Sequence, residues 1–173
     1  MSSNTDSPSR PSGIRQRLLP QEGAKAADPT GEIDLARHAV LAHTSEDPEH
    51  VIGNLIDGHY GRGGTFWAAS RPDTTESIIV EFDQPQSVSC MIYEIEECSC
   101  DRTQEVRVEK SADGGRTYRQ VLVQEYTFSP AGATFQREEQ RLNLPPITHL
   151  RLTIVPDKHG SGTAKLNALR LFA

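Results

Sequence analysis

Apolar and polar residues alternate with a period of two in several short segments after residue 33. Ile78, Val80 and Phe82 share one face of an extended segment, and Glu81 lies on the other face. Residues 105–109 and 150–154 repeat this pattern. Asp113-Gly114, between two such segments, is a turn signal. Several short strands separated by turns predict an all-β fold, an antiparallel β-sandwich.

The chain divides into two regions of different composition. Residues 1–33 are rich in Ser, Pro, Asn, Asp, Gly and Ala and contain little apolar bulk, so they cannot bury enough surface to offset the entropy of ordering. We expect a disordered N-terminal tail over 1–33, within which residues 14–19 could form a short basic docking motif, and a folded domain over 34–173. Residues 35–41, at the start of the domain, fit a helical turn or a first strand equally well.

Residues 54–58 and 65–67 frame a Gly-rich loop that contains the single tryptophan, Trp67. The glycines allow positive φ angles, so the loop can fold back on itself. Asp57 and Thr65 each offer a side-chain oxygen, either to backbone donors or to a hard cation.

Five segments, taken in order, resemble the discoidin or coagulation factor 5/8 type C family. They are the loop just described, a strand over 74–85 ending in a turn at Pro85, a hairpin over 105–118, a penultimate strand over 149–156 and a closing strand over 168–172. The resemblance covers about residues 34–173 and implies a galactose-binding-like β-sandwich, or jelly roll. This family includes many carbohydrate-binding modules, and its domains bind more often than they catalyse.

Charge and composition narrow the functional class. The net charge of −6 argues against a nucleic-acid partner. No apolar run approaches the roughly 18 residues of a membrane span, and the first residues lack the features of a signal peptide. Three cysteines, an odd number, suit a reducing compartment. We therefore expect a cytoplasmic protein, with Cys90 in the core. For Cys98 and Cys100, whose spacing is not that of a usual zinc site, a structural role is favoured over a redox or metal role.

Recognised catalytic motifs are absent from the sequence. The six histidines form neither a His-x-His nor a His-Glu-x-x-His pattern, and there is no Gly-x-Ser-x-Gly. Adjacent acidic pairs such as Glu96-Glu97 point to opposite faces of a strand and cannot act together. The sequence predicts a protein that is not an enzyme and has no cofactor.

The family resemblance implies a calcium site that includes Asp57, Thr65 and a glutamate near the C-terminus. In this chain Ala168 stands where that carboxylate is expected. A calcium ion takes 6–8 oxygen ligands, and this change removes one of the few negatively charged ligands of the site. We therefore expect Asp57 to brace its loop by hydrogen bonds, and a weak calcium site at Asp57 and Thr65 is the minority interpretation.

The ligand surface is expected on the loops at one end of the sandwich. By loop position, the candidate ligand-binding residues are His43, Glu46, Arg71, Asp101, Arg102 and His159. Trp67 is expected in the core, whereas Tyr126 and Phe128 fit either a stacking platform or an ordinary strand. The predicted function is carbohydrate binding, and the alternative is an intracellular protein–protein interaction domain on the same scaffold.

Overall fold

Eight β-strands form most of the computed structural model, which describes residues 31–173. One helical turn (α1, Leu35–His38) and one 3-10 helix (Ile52–Ile56) accompany them. The strands are β1 (Ala39–His43), β2 (Trp67–Pro72), β3 (Glu76–Glu96), β4 (Arg102–Ser111), β5 (Arg119–Phe128), β6 (Phe135–Val155), β7 (Thr163–Leu166) and β8 (Ala168–Phe172). All of their pairings are antiparallel, so the all-β expectation is confirmed.

Strands β3 and β6 each run for 21 residues and pair along most of their length. The first half of β3 lies between β1 and β6, and its second half lies between β8 and β6. Together β1-β3-β6-β4-β5 form the main sheet, in that order. Strands β2 and β7 form a separate pair.

The turn predicted at Pro85 is instead a bend inside β3. The β3–β6 register shifts between Glu81 and Gln86 and again beyond Gln86. Proline has no N–H to donate to a ladder, and Pro85 on β3 and Pro145-Pro146 on β6 lie at these shifts. Residues 149–156 are likewise not the penultimate strand, because β7 and β8 both follow them.

The predicted apolar faces form the core. Buried side chains from the alternating segments are Ile78, Val80, Phe82, Val106, Val108, Leu150, Leu152 and Ile154. Trp67 is fully buried, and its Nε1 donates a hydrogen bond to the Ser45 carbonyl at 3.2 Å. Tyr126 and Phe128 are buried on β5, so they belong to an ordinary strand and form no stacking platform.

Residues 35–41 adopt both of the structures that their pattern allowed. Leu35–His38 form one helical turn, and β1 starts at Ala39. The turn between β4 and β5 also lies where it was predicted, because Asp113 Oδ1 accepts the backbone N–H groups of Arg116 and Thr117 at 3.1 and 3.0 Å. The Thr117 hydroxyl, which donates to Asp113 Oδ2 at 2.6 Å, and these backbone bonds hold the pKa of the Asp113 carboxyl well below its usual range.

Cys90 is buried, as expected, while Cys98 and Cys100 are exposed, and all three are free thiols. Between residues 31 and 173, none of the helical segments is long and apolar enough to cross a membrane.

The folded domain begins before residue 34. Ile33 is 8% exposed and donates its N–H to the Leu171 carbonyl at 2.8 Å. Glu32 pairs with Arg170 at 2.7 Å. Residues 31–33 therefore belong to the domain and not to the predicted tail, and the rest of that tail, residues 1–30, lies outside the described residues.

Ile33→Ala should destabilise the domain by about 2–3 kcal/mol, because it removes apolar contacts from the core and leaves a cavity. Val40→Ala is the matched control, since Val40 is 56% exposed, and it should change stability little. Chemical denaturation of the full chain measures both changes. Equal effects of the two substitutions would show that Ile33 does not pack in the core.

Candidate binding surface at one end of the sandwich

The candidate residues lie at strand ends and on loops at one end of the main sheet. At this end β1 stops at His43, β3 begins at Glu76 and β4 begins at Arg102. The registers place these strand ends side by side, since His43 pairs with Ile78 and Glu76 pairs with Ile154. The strand ends and loops that carry the six candidates therefore share one surface, which divides into two clusters.

The first cluster, called here the Arg71 cluster, consists of His43, Glu46, Arg71 and Glu76. His43 Nε2 lies 3.4 Å from Glu46 Oε2, which also accepts the backbone N–H of Ile52 at 2.8 Å. The Glu46 carboxylate thus contacts the His43 ring and also accepts a hydrogen bond from the first residue of the 3-10 helix. His43 and Glu46 remain partly open to solvent, with 24% and 34% of their side chains exposed.

Arg71 forms an ion pair with the buried carboxylate of Glu76, which was not among the residues expected from the sequence. Glu76 is fully buried, and Arg71 Nη2 lies 3.2 Å from its Oε1 and 3.3 Å from its Oε2. The Thr44 hydroxyl also donates to Glu76. Glu76 is in phase with Ile78 and Val80 in the period-two pattern, so an inward-facing carboxylate was readable from the sequence.

Arg102 does not lie open to solvent as its loop position had suggested. It is 4% exposed, and its Nη1 donates to the carbonyls of Thr163 at 2.6 Å and Pro156 at 3.3 Å. Its Nε lies 3.2 Å from Glu97 Oε2, a contact between charges and not an aligned hydrogen bond. Burial lowers the pKa of Arg102, although the Glu97 carboxylate opposes this shift. Arg102 thus ties β4 to the loop before β7.

The second cluster, called here the Asp157 cluster, consists of Asp101, Asp157 and His159. Asp157 Oδ1 accepts the backbone N–H groups of Thr103 at 3.2 Å and His159 at 3.1 Å. Burial raises the pKa of Asp157, but these bonds outweigh it and hold the pKa below its ordinary value. Asp101 and His159 are exposed.

The two clusters meet at a shared rim. Asp73 donates its N–H to the Gly162 carbonyl, and Gly162 donates its N–H to Asp73 Oδ1, both at 2.7 Å. Asp73 has a φ of 56°, a left-handed conformation that Asp tolerates better than most residues. This reciprocal pair fixes the β2–β3 turn against the loop that carries His159.

Asp57 and Thr65 lie next to each other, and their side chains form a hydrogen bond with each other. Asp57 Oδ2 accepts the Thr65 hydroxyl at 2.7 Å, and its Oδ1 accepts the His59 N–H at 2.8 Å. Burial raises the pKa of Asp57, and these bonds reverse the shift so that the pKa lies below its ordinary value. The expectation that Asp57 braces its loop is confirmed.

The donor set in this loop fits hydrogen-bond bracing better than calcium. Ala168 is fully buried opposite Glu94, and Glu94 Oε2 accepts the Gly61 N–H at 2.7 Å. The carboxylate oxygens near the loop are thus occupied by N–H and O–H donors. A weak calcium site at Asp57 and Thr65 remains a prediction that calcium titration can test.

Arg102→Ala should destabilise the domain by about 3 kcal/mol or more, because it leaves the buried Glu97 carboxylate without its partner. Arg119→Ala, at an exposed position on β5, is the control and should change stability by less than about 0.5 kcal/mol. Urea denaturation distinguishes the two. Unchanged stability of the Arg102 variant would return Arg102 to the candidate ligand-binding residues.

Asp57→Ala should lower stability by about 1 kcal/mol through the lost loop bonds, and calcium should raise the melting temperature of neither protein appreciably. Since the folded pKa of Asp57 lies below its ordinary value of 3.8, its contribution is complete above that pH and is lost on acidification. The difference between the two proteins should therefore shrink below about pH 4. A calcium-dependent rise in melting temperature that Asp57→Ala abolishes would instead establish a metal site.

Comparison with known proteins identifies the domain family and structures with a similar fold. The F5/8 type C domain model matches residues 40–168, and no curated protein matches the chain. Among solved structures, a family 32 carbohydrate-binding module from C. perfringens NanJ, in complex with galactose, has a TM-score of 0.61 at 16% identity, covering 83% of this chain and 98% of that one.

Two further structures are similar. A pectin-binding carbohydrate-binding module has a TM-score of 0.59 at 17% identity, covering 79% of this chain and 91% of that one. The Clostridium perfringens module CpGH89CBM32-5, in complex with GalNAc-beta-1,3-galactose, has a TM-score of 0.58 at 19% identity, covering 83% and 100%. The structural similarity covers 79–83% of this chain, and the family model spans residues 40–168. This chain therefore belongs to the F5/8 type C domain family.

Proposed function

We propose that this chain is a non-catalytic carbohydrate-binding module that holds its ligand at the Arg71 cluster. The observation that carries the proposal is the exposed guanidinium of Arg71, with 55% of its side chain open, fixed from below by the fully buried Glu76. A similar module is described in complex with galactose, and that description supports the ligand class.

The chemistry of the Arg71 cluster suits sugar hydroxyl groups. A hydroxyl both donates and accepts hydrogen bonds, so a sugar site needs donors and acceptors at fixed positions. Arg71 supplies N–H donors, Glu46 supplies an acceptor, and His43 supplies either according to its tautomer. Their hydrogen bonds to strand ends and to the 3-10 helix reduce the entropy lost when a ligand binds.

Glu76 has the role of a positioning residue in this proposal. Its buried carboxylate needs a cation beside it, because an unpaired buried charge is costly. Arg71 meets that need and is thereby oriented, with part of its guanidinium left at the surface. The ion pair with Glu76 thus fixes the position of Arg71 near the end of β2.

The second candidate function is binding of a protein partner in a reducing compartment such as the cytoplasm. The exposed free thiols of Cys98 and Cys100 favour it, because such thiols persist where disulfides are reduced. Sugar titration separates the two candidates.

Galactose and other neutral sugars should bind with a Kd between about 1 µM and 1 mM, the weak range expected of an open site with few anchors. Arg71→Ala and His43→Ala should weaken binding at least about tenfold, which corresponds to the loss of one charged hydrogen bond. Arg71→Lys keeps the charge but loses the planar fork, so it should also bind weakly while folding normally. A glycan array followed by NMR titration of the full chain measures these effects.

Arg119→Ala serves as the control for loss of a surface arginine and should bind as the parent does. Melting temperatures show whether each variant is folded. A folded parent that shows no resonance change with any sugar up to tens of millimolar would refute the proposal and favour a protein partner. Shifts centred on Trp67 would show that the ligand binds elsewhere.

A further inference from the structure

A cavity of about 400 Å³ lies beside the Arg71 cluster at the same end of the sandwich. Its walls include Asp101, Arg102, Thr127, Phe128, Asp157 and His159. The volume falls within the range of roughly 300–1,000 Å³ that is typical of ligand pockets. It is therefore large enough to be considered as a second binding position.

The floor of the cavity is rigid. Phe128 is 1% exposed and packs beneath the cavity without contacting its contents, and Arg102 is held by two carbonyls and by Glu97. Arg102 Nη2 is buried and has no hydrogen-bond partner among residues 31–173. Because this nitrogen is itself shielded from solvent, a ligand does not contact it, and the exposed side chains around the cavity are those of Asp101, Thr127 and His159.

The walls of the cavity offer groups that suit neutral hydroxyls. Asp157 Oδ1 is engaged by two backbone N–H groups, which fix the carboxylate and leave Oδ2 toward Gly160, where an added Cβ would lie 2.9 Å from it. Thr127 is exposed, and its hydroxyl lies 3.0 Å from that of Thr103. The cavity thus combines carboxylate acceptors with a hydroxyl group.

The charges around the cavity disfavour an acidic ligand. Asp101 and Asp157 bring two carboxylates to its walls, while the positive charge of Arg102 is opposed by Glu97. Lys158, the neighbouring cation, is engaged on the outer face by Glu105 and Glu125. His159 adds a positive charge only when it is protonated. Carboxylated or sulfated sugars would therefore be repelled more than they are attracted.

The cavity and the Arg71 cluster are close enough for one extended ligand. Glu76 begins β3 and Arg102 begins β4, and one strand, β6, lies between them. Two strand spacings correspond to about 10 Å, and Arg102 lies four residues beyond Val106, the β4 residue level with Glu76, which adds about 13 Å along the strand. The Asp73–Gly162 pair forms the rim between the two positions, and fixes their separation.

We infer that the cavity at the Asp157 cluster is a second subsite, which takes one neutral sugar unit of an extended oligosaccharide that has another unit bound at the Arg71 cluster. The inference rests on the proposed function and extends it. The ligand is a neutral oligosaccharide and not a single sugar or an acidic polymer.

The test is calorimetric and NMR titration of the full chain with galactose, with neutral galacto-oligosaccharides of increasing length, and with galacturonate oligomers of matched length. The neutral oligomers should bind about tenfold more tightly than galactose, as expected from one added set of contacts. They should also shift the amide resonances of Thr103, Thr127 and Gly160, which galactose alone should leave unchanged. The galacturonate oligomers should show no gain with length.

The variants separate the second subsite from the first. Asp101→Ala and His159→Ala, both at exposed positions, should abolish the gain with length and leave galactose binding intact. Asp157→Asn keeps an oxygen for the two backbone donors but removes the charge, so it should raise the affinity for galacturonate oligomers relative to the neutral ones. Asp83→Ala, at the exposed bend of β3, is the control and should behave as the parent in every titration.

Equal affinity for galactose and its oligomers, with galactose binding still sensitive to Arg71→Ala, would refute the second subsite and leave the proposed function standing. A gain with length that Asp101→Ala and His159→Ala do not affect would also refute it, as would tighter binding of galacturonate oligomers by the parent. Absence of binding to any neutral sugar would overturn both proposals.

Discussion

The pairing of β3 with β6 is the constraint on which the rest of the structure depends. Both strands are 21 residues long, and their ladder continues from one side of the sandwich to the other. Each also pairs with further strands, so β1, β8 and β4 are positioned by this pair. A ladder this long would carry the chain out of a compact domain if it were straight. The register shifts at Pro85 and Pro145-Pro146, where ladder donors are missing, interrupt the ladder and allow it to bend.

The candidate binding surface follows from where these strands stop. Strand ends in an antiparallel sheet leave backbone groups that must be satisfied by loops. At this end Asp157 accepts the N–H of Thr103 near the start of β4, and Glu46 accepts the N–H of Ile52 at the start of the 3-10 helix. The residues that stabilise the loops therefore also arrange the polar surface above them.

The sequence predicted the fold better than the roles of individual loop residues. Alternation over 78–82, 106–108 and 150–154 identified the core faces, and Trp67 was correctly expected inside. Arg102 shows where such reasoning ended, because its loop position suggested exposure while the structure buries it. Burial of a charged side chain depends on partners such as Glu97 and Thr163. Thr163 is 61 residues from Arg102 in the chain, so the sequence does not show that the two residues are in contact.

The sequence by itself determined the all-β class, the inward and outward faces of the strands and the bracing role of Asp57, because each depends on side-chain periodicity or on neighbours within one loop. Only the tertiary structure decided that Glu76 supports Arg71, that Asp73 and Gly162 form a rim and that Ile33 completes the core. These contacts join segments that are adjacent only after the sheets have closed. Whether a buried polar group, such as the Glu76 carboxylate, has a partner that offsets its loss of hydration is therefore decided only in the folded chain.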